Sequence, residues 1–320
     1  MIKRGYLLVC IVIFTFIHAQ QKYYESMIAI DVAIKQNNYK EAYTILQGIK
    51  EPLSDLNKRT ALDIYLKNDK KKPALKLIRE LGEINYHVKY MLTKDSLILK
   101  AMTKERFYKA YNKGLKKFIV NYNQEFSDII TESQYLDQYV RTNESFTKLK
   151  RETDFLKETD LSNYKRISQQ IDKYGFPTAK TIGQHNLNNL DLILMHCTRY
   201  DDSIYTKVVS YYEAAIKNKN LRPTDLGYLI DDHDAVILQE KATTFGLKTQ
   251  TSKEGQKLYE EKKITIMDLI KDKKYIEFKP IKDIKNVDAL RKKYFLPMVW
   301  QQAILNEIKK LPPGYERKYD

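Results

Sequence analysis

The fold of this chain is decided by a repeat whose two copies read IDVAIKQNNYKEAYTILQGI at residues 30–49 and LDIYLKNDKKKPALKLIREL at residues 62–81. The copies align without a gap at an offset of 32 residues and keep their apolar positions almost throughout. Four residue pairs are identical: Asp31/Asp63, Lys35/Lys67, Lys40/Lys72 and Ala42/Ala74. Each copy predicts a helix, a polar turn and a second helix, and the small alanine allows the two helices to pack closely.

These hairpins resemble tetratricopeptide-like repeats, whose period is about 34 residues, although the full motif is absent. We therefore predict tetratricopeptide-like helical hairpins over residues 20–120. Stacked hairpins usually need about three units to bury a continuous core, so this arm is expected to pack against the next part of the chain. Such arrays offer a concave surface to a protein or peptide, and the alternative is a helical spacer without a ligand.

The composition favours helices throughout the chain. Only 10 Gly and 8 Pro occur in 320 residues, which is few for an all-β fold or a glycine-rich nucleotide-binding fold. The predicted fold class is mainly α, with hairpin repeats followed by a mostly helical domain that has at most a small β element. Lys and Arg outnumber Asp and Glu by 56 to 41, a formal charge of +15. Because 45 of the 56 are Lys and only 11 are Arg, no nucleic-acid partner is predicted.

Residues 1–19 are predicted to be a secretory signal peptide. Lys3 and Arg4 precede an apolar run at residues 6–17, and Ala19 supplies a small residue at the cleavage site. The run is shorter than the roughly 20 residues of a spanning helix, and an uncleaved anchor is the alternative. We expect a soluble, exported bacterial protein, periplasmic or extracellular, without an integral membrane segment after cleavage. Cleavage leaves Cys197 as the one thiol, which we expect to be buried rather than nucleophilic.

Beyond residue 120 the hydrophobic spacing predicts further helices and one strand. Helices are expected at residues 161–174, 186–198, 203–218, from 224 onward and at 287–310, and the strand at residues 275–281. Gly175 and Pro177 are expected to end the first of these helices, and Thr224 to cap the fourth. The turn at residues 312–314 is predicted to end the ordered part, within a C-terminal tail of residues 303–320.

Six short motifs occur in order between residues 121 and 302. They are Asp137-Gln138 with Arg141, Tyr174-Gly-Phe-Pro-Thr178, Met195-His196, Pro223-Thr-Asp-Leu-Gly-Tyr-Leu-Ile-Asp231, Gln250, and Val287-Asp-Ala-Leu-Arg291 with Leu296-Pro297. In this order they resemble the bacterial family of domains of unknown function that is numbered 6624. The resemblance implies one helical domain over residues 121–302 and a set of candidate site residues within its motifs, but it implies no reaction. The sequence departs from the family's pattern at Met195, at Asp232 and in the lengthened segment that ends at Gln250, which alters any site built there.

The candidate catalytic residues are His196 and Asp231. His196 lies in an apolar helix, so its ring needs a buried partner, and Asp231 is the predicted one. A histidine that is oriented by a carboxylate transfers protons near neutral pH, and the alternative is a structural hydrogen bond. Asp137, Arg141 and Gln250 are the candidate binding residues. Asp137 and Arg141 are four residues apart, which is the spacing of an ion pair on one helix.

No metal site and no cofactor is predicted. Residues 231–234 contain several ligand types, but a helix turns their side chains to different faces, and metal binding there is kept only as a further alternative. The sequence contains no zinc-binding motif, phosphate loop or nucleophile elbow. The leading hypothesis is therefore a cell-envelope binding or interaction protein with an unknown protein or peptide partner. The alternative is a hydrolase or proton-transfer enzyme that uses His196 and Asp231.

Overall fold

The structure is a computed structural model that describes residues 2–93, 96–142, 152–261, 263, 265, 267–268 and 273–317, with side chains from residue 18 onward except at residues 152 and 153. Most of the described chain is α-helical, and its regular β-structure is one two-stranded sheet. The prediction of a mainly α fold with a small β element is confirmed. None of the helices in the described ranges is long and apolar enough to cross a membrane.

The α-helices are numbered here in chain order. They are α1 (Ile2–Lys35), α2 (Tyr39–Gly48), α3 (Lys58–Lys67), α4 (Lys71–Gly82), α5 (Val88–Met91), α6 (Leu97–Ala101), α7 (Lys104–Asn121), α8 (Gln124–Thr142), α9 (Glu152–Tyr174), α10 (Ala179–Ile182), α11 (Gln184–Cys197), α12 (Asp202–Lys217), α13 (Pro223–Asp232), α14 (Lys253–Glu260), α15 (Val287–Lys293) and α16 (Val299–Leu305). A π-helical turn, His233–Ile237, follows α13 directly. The strands β1 (Thr249–Thr251) and β2 (Ile276–Phe278) pair antiparallel with Gln250 opposite Glu277.

The chain divides into two compact units. Leu53–Asp225 forms the first, called here the central unit, and Met1–Pro52 with Leu226–Asp320 forms the second, called the terminal unit. The first copy of the repeat belongs to the terminal unit and the second copy to the central unit. The boundary predicted between residues 120 and 121 lies inside the central unit, because α7 packs closely on α4 of the second repeat.

Each copy of the repeat forms a helix, a turn and a second helix. The turns contain Asn37 at φ 60° and Asp69 at φ 55°, which occupy equivalent positions in the two copies. Asn and Asp tolerate this left-handed conformation better than most residues, so the polar turns explain where the helices reverse. Ala42 and Ala74 are fully buried in the two hairpins, as expected of the small residue that lets the helices approach.

The close approach of α4 and α7 depends on two glycines. A Cβ placed on Gly82 would clash with the backbone carbonyl of Tyr111, and one on Gly114 would clash with that of Arg79. Each helix thus presents a glycine to the backbone of the other, so there is no room for a side chain at the crossing. This contact joins the second repeat to the later helices of the central unit.

Three long helices of the central unit, α8, α9 and α11, pack against one another in pairs. Their shared core includes Phe126, Ile130, Ile167 and Ile193, each at most 1% exposed. Gly175, at φ 77°, follows the last residue of α9, as predicted from the glycine and the nearby proline. The pairwise packing turns one face of each helix inward, and this places the polar side chains of those faces together.

The ends of three elements differ from the sequence prediction. α13 begins at Pro223, so its N-cap position falls at Arg222 and not at Thr224. The helix predicted at residues 287–310 is two helices, because Phe295 adopts φ 56° and Pro297 follows before α16 begins. Tyr315 lies beyond the predicted end of the ordered part, yet its hydroxyl donates a hydrogen bond to Asp288 at 2.6 Å. The strand predicted at residues 275–281 is observed over Ile276–Phe278, as β2.

The predicted signal peptide and its cleavage after Ala19 stay predictions. The backbone of α1 runs through this segment from Ile2. The side chains of residues 1–17, which carry the prediction, lie outside the described ones.

Candidate functional site

Four polar side chains meet where α8, α9 and α11 pack together. Asp137 and Arg141 come from α8, Asp160 from α9 and His196 from α11, and this set is called the His196 cluster below. Both carboxylates are fully buried, and His196 is 8% exposed. Three of the residues predicted from the sequence are therefore brought together, and they are joined by Asp160, which no motif of the sequence had indicated.

The partner of His196 is Asp137. The Nδ1 atom of His196 lies 2.8 Å from Oδ1 of Asp137. An ionised carboxylate can only accept a hydrogen bond, so Nδ1 carries the proton and donates it to Asp137. The Nε atom of Arg141, which lies 3.2 Å from the same Nδ1, is then a close neighbour rather than a hydrogen-bond donor to the ring. Asp137 thereby fixes the tautomer and the orientation of the imidazole.

Arg141 links the two buried carboxylates. Its Nη2 atom donates to Asp160 at 2.9 and 2.7 Å and lies 3.2 Å from Oδ1 of Asp137. The pair of Asp137 and Arg141 expected from their spacing on α8 is thus confirmed. A cation beside two buried carboxylates compensates charges that would be costly to bury alone.

The environment moves the pKa values of the two carboxyl groups in opposite directions. Burial alone raises the pKa of Asp137, but the hydrogen bond and charge of His196, together with Arg141, outweigh it and lower the pKa. Burial dominates at Asp160 and raises its pKa despite the hydrogen bonds from Arg141. Burial and the neighbouring Asp160 also raise the pKa of Tyr200 to about 12. Asp137 is therefore the carboxylate that stays ionised against His196.

The cluster also has the donor types of a metal site. Ligand atoms of Asp137, Asp160 and His196 all lie within 4.8 Å of one another. Arg141 donates to one of these carboxylates and lies against the other, so its guanidinium already supplies the positive charge that a metal ion would bring. The geometry therefore favours an arginine-bridged carboxylate pair over metal coordination.

Asp231, which the sequence predicted as the partner of His196, has hydrogen-bond partners of its own. Its carboxylate is fully buried in the terminal unit and accepts hydrogen bonds from the backbone N–H groups of Phe245, at 2.7 Å, and of Leu247. The fully buried Arg291 holds the same loop, since it donates to the carbonyl oxygens of Phe245 at 2.8 Å and of Gly246 at 3.1 Å. Asp231 thus satisfies the backbone of a loop, a role that spacing in the sequence does not reveal.

The other predicted residues of the terminal unit also have local partners. Gln250 lies on β1 and donates to Glu277 at 2.9 Å across the sheet. Asp232 pairs with Lys248, and Asp234 accepts from the backbone of Thr244 at 2.7 Å. These contacts give the acidic stretch at residues 231–234 a structural role within the terminal unit.

A polar cleft of about 370 Å³ opens elsewhere in the central unit. It is lined by charged, polar and apolar side chains, among them Arg59, Gln184, Asp191, Arg222, Asp225 and three leucines. Small-molecule sites commonly measure about 300–1,000 Å³ and carry a few converging polar groups. None of these residues was predicted to form a site from the sequence, although an aspartate within the apolar helix α11 was a signal.

Two half-buried acids line this cleft. The hydroxyl of Tyr212 donates to Oδ1 of Asp191 at 2.5 Å, and the backbone N–H of Arg222 donates to Oδ2 of Asp225 at 2.9 Å. Burial and the charge of Asp191 raise the pKa of Asp225 to about 7. Burial also raises the pKa of Asp191, against the opposing effects of Tyr212 and Arg222. Asp225 is therefore partly protonated near neutral pH, and the charge of Asp191 contributes to this.

Gln184, which also lines the cleft, has one side-chain atom without a hydrogen-bond partner in the described part of the chain. Gln184, which is 8% exposed, donates through Nε2 to Asn188 at 2.9 Å, but its buried Oε1 accepts no hydrogen bond from the described part of the chain. A buried acceptor without a donor costs roughly 1–3 kcal/mol.

Comparison of the chain with known protein families, curated proteins and solved structures finds no match. The resemblance to the domain family numbered 6624 therefore stays a prediction from the sequence.

Proposed function

We propose that this chain is an exported binding protein of the cell envelope whose central unit holds a small polar ligand in the cleft. The observation that carries the proposal is a cleft of about 370 Å³ that presents two arginines and two aspartates and is also lined by Gln184, whose buried Oε1 has no hydrogen-bond partner in the described part of the chain. Unpaired buried polar groups are uncommon in folded proteins, and a binding site for a ligand or water is a standard reason for one. Export rests on the predicted signal peptide.

Binding is favoured over nucleophilic catalysis by the surroundings of His196. Cys197, its neighbour in sequence, donates its thiol to the backbone carbonyl of Asp160 at 3.1 Å. Burial raises the pKa of this thiol well above its usual value, so it stays protonated and unreactive. The buried cysteine expected from the sequence is observed.

A second candidate function is proton transfer at His196. It is favoured by the 2.8 Å hydrogen bond from Nδ1 to Asp137, because this bond leaves Nε2 as the ring atom able to accept a proton. The enzyme hypothesis from the sequence thus survives with Asp137 in place of Asp231. A peptide or protein partner at the helical hairpins stays a further hypothesis from the repeat alone.

The binding proposal is tested by thermal unfolding of the full chain in the presence of amino acids, sugars, nucleotides and short organic acids. A ligand at 100 times its Kd stabilises the folded chain by about 2.7 kcal/mol, which a thermal scan detects readily. The Arg222→Gln variant should lose the stabilisation. His196→Asn and the surface variant Arg166→Gln should keep it.

Two outcomes would contradict the proposal. The first is a panel in which no compound shifts the unfolding temperature of the wild-type chain. The second is a ligand whose stabilisation is lost in His196→Asn but kept in Arg222→Gln, which would transfer the function to the His196 cluster. Export is tested separately, by N-terminal sequencing of the protein from the culture and the periplasm, where Gln20 is the expected first residue.

A further inference from the structure

We infer that the ligand of the cleft is a free α-amino acid. Its ammonium group is held by Asp191 and Asp225, and its carboxylate by Arg59 and Arg222. This inference rests on the proposed function of the cleft and adds the chemical class of the ligand.

The acceptor side of the cleft matches an ammonium group. Asp191 and Asp225 each use one carboxylate oxygen for a protein donor, Tyr212 and the backbone of Arg222 respectively. An ionised carboxylate has about four acceptor positions, so both retain capacity for a ligand. An ammonium group has three N–H donors, which the free acceptor positions of these two carboxylates can satisfy.

The donor side matches a carboxylate. Arg59 and Arg222 both line the cleft, and a guanidinium group has five N–H donors arranged to bind a carboxylate through two parallel hydrogen bonds. Arg59 directs Nη1 to Asp63 on its own helix, which leaves its remaining N–H groups for other acceptors. The two arginines and the ammonium site together therefore provide for both ends of an amino acid.

The balance of charge in the cleft selects a zwitterion. Two arginines face two aspartates, so the formal charges of the lining cancel when both acids are ionised. A simple amine would contact only the acids of the cleft, and a simple carboxylate would contact only its arginines. Each half of an amino acid makes only part of these contacts and should therefore bind more weakly than the whole.

Ammonium binding should release a proton. The pKa of Asp225 is about 7, raised by burial and by Asp191. The groups around it are Asp191 on α11, Tyr212 on α12, Arg59 on α3, Tyr86 after α4 and Arg222 beside it. Burial raises the pKa of Tyr212 well above its usual value, so Asp225 is the group that titrates near pH 7. About half a proton per ligand should therefore pass to the solvent at pH 7.

The inference is tested by isothermal titration calorimetry of the full chain with three matched probes. L-Leucine carries both charged groups, 3-methylbutylamine lacks the carboxylate, and 4-methylpentanoate lacks the ammonium group. Leucine is chosen because Leu56, Leu187 and Leu221 line the cleft. We expect leucine to bind at least tenfold more tightly than either 3-methylbutylamine or 4-methylpentanoate. The binding heats measured in phosphate and in Tris at pH 7 should differ, because the two buffers have different ionisation enthalpies. The difference should correspond to the uptake of about half a proton by the buffer for each leucine bound.

The pH dependence provides a check on the unaltered protein. If the ionised acid pair binds the ammonium group, leucine affinity rises about 30-fold from pH 5.5 to pH 8 for a pKa of about 7. In Asp225→Asn the affinity at pH 8 should fall at least tenfold and the buffer dependence should vanish. His185→Gln is the control, since His185 neighbours Gln184 in sequence but does not line the cleft, and it should keep both properties. Circular dichroism melts show whether each variant folds.

The outcomes separate this inference from the proposed function. If 4-methylpentanoate or the amine binds as tightly as leucine, or if leucine binds without proton release, the amino-acid assignment is wrong. If another polar compound binds the cleft and no amino acid does, the inference fails and the binding function stands. If no compound of the wider panel binds, the binding function itself fails.

Discussion

Arg141 offers the sharpest test of the His196 cluster. In Arg141→Met, the guanidinium that bridges Asp137 and Asp160 is removed, while much of the apolar stem is kept. Both carboxylates are fully buried and the arginine side chain is 20% exposed. Removing one partner of a buried ion pair costs about 3–5 kcal/mol, and we expect about 3 because the arginine is partly exposed. Urea unfolding at pH 7 measures this loss.

The matched control is Arg166→Met. Arg166 pairs with Glu132 and joins the same two helices, α9 and α8, but these side chains are 34% and 62% exposed. Exposed ion pairs contribute about 0–1 kcal/mol, so the two methionine variants should differ by about 2–3 kcal/mol. Equal losses in the two variants would refute the argument that burial makes the Arg141 contacts strong.

The pH dependence of the Arg141→Met variant supplies a second check. Burial already raises the pKa of Asp160, and Arg141 opposes that effect in the wild-type chain. Without Arg141 the folded-state pKa rises further above the unfolded value. A carboxyl group whose pKa is higher in the folded than in the unfolded chain makes the fold less stable as the pH rises through the folded-state pKa. The deficit of the variant should therefore shrink between pH 7 and pH 4.5, and a constant deficit would contradict the electrostatic explanation.

Three further predictions concern packing and the terminal unit. Gly114→Ala should destabilise the chain by about 1–3 kcal/mol in thermal unfolding, because its Cβ meets the backbone of α4, whereas Gly48→Ala, with open space around it, should be near neutral. In a Cys10→Ser background, Cys197 should react with a thiol reagent only after denaturation, since it is buried and protonated. Asp231→Ala should cost about 2–3 kcal/mol in urea unfolding by leaving backbone N–H groups of a buried loop unpaired, and a loss below 1 kcal/mol would refute that role.

Local pattern predicted the elements of this protein well. The 32-residue repeat indicated both hairpins, and the polar turns at Asn37 and Asp69 reverse the chain where expected. Helix α11 and strand β2 lie where hydrophobic spacing placed them. These features are readable because a helix or turn depends mainly on residues within a few positions of one another.

The contacts of the candidate site were only partly readable. Asp137 and Arg141 are four residues apart on one helix, so their pairing follows from helical geometry. The hydrogen bond of His196 to Asp137 joins residues 59 positions apart, and Asp231, the partner predicted instead, serves the backbone of its own loop. The packing of the helices decides which buried carboxylate forms a hydrogen bond with the imidazole of His196. The sequence contains several acidic residues that could have been this partner.

The sequence by itself determined a helical chain, the hairpins of the repeat, and a histidine in an apolar helix that must find a polar partner. Only the tertiary structure decided that this partner is Asp137, that Arg141 bridges to Asp160, and that Asp191, Asp225 and Gln184 share a cleft. The physical reason is that backbone hydrogen bonding and hydrophobic periodicity act over a few residues. Burial of charge, by contrast, is settled between side chains that are distant in the chain.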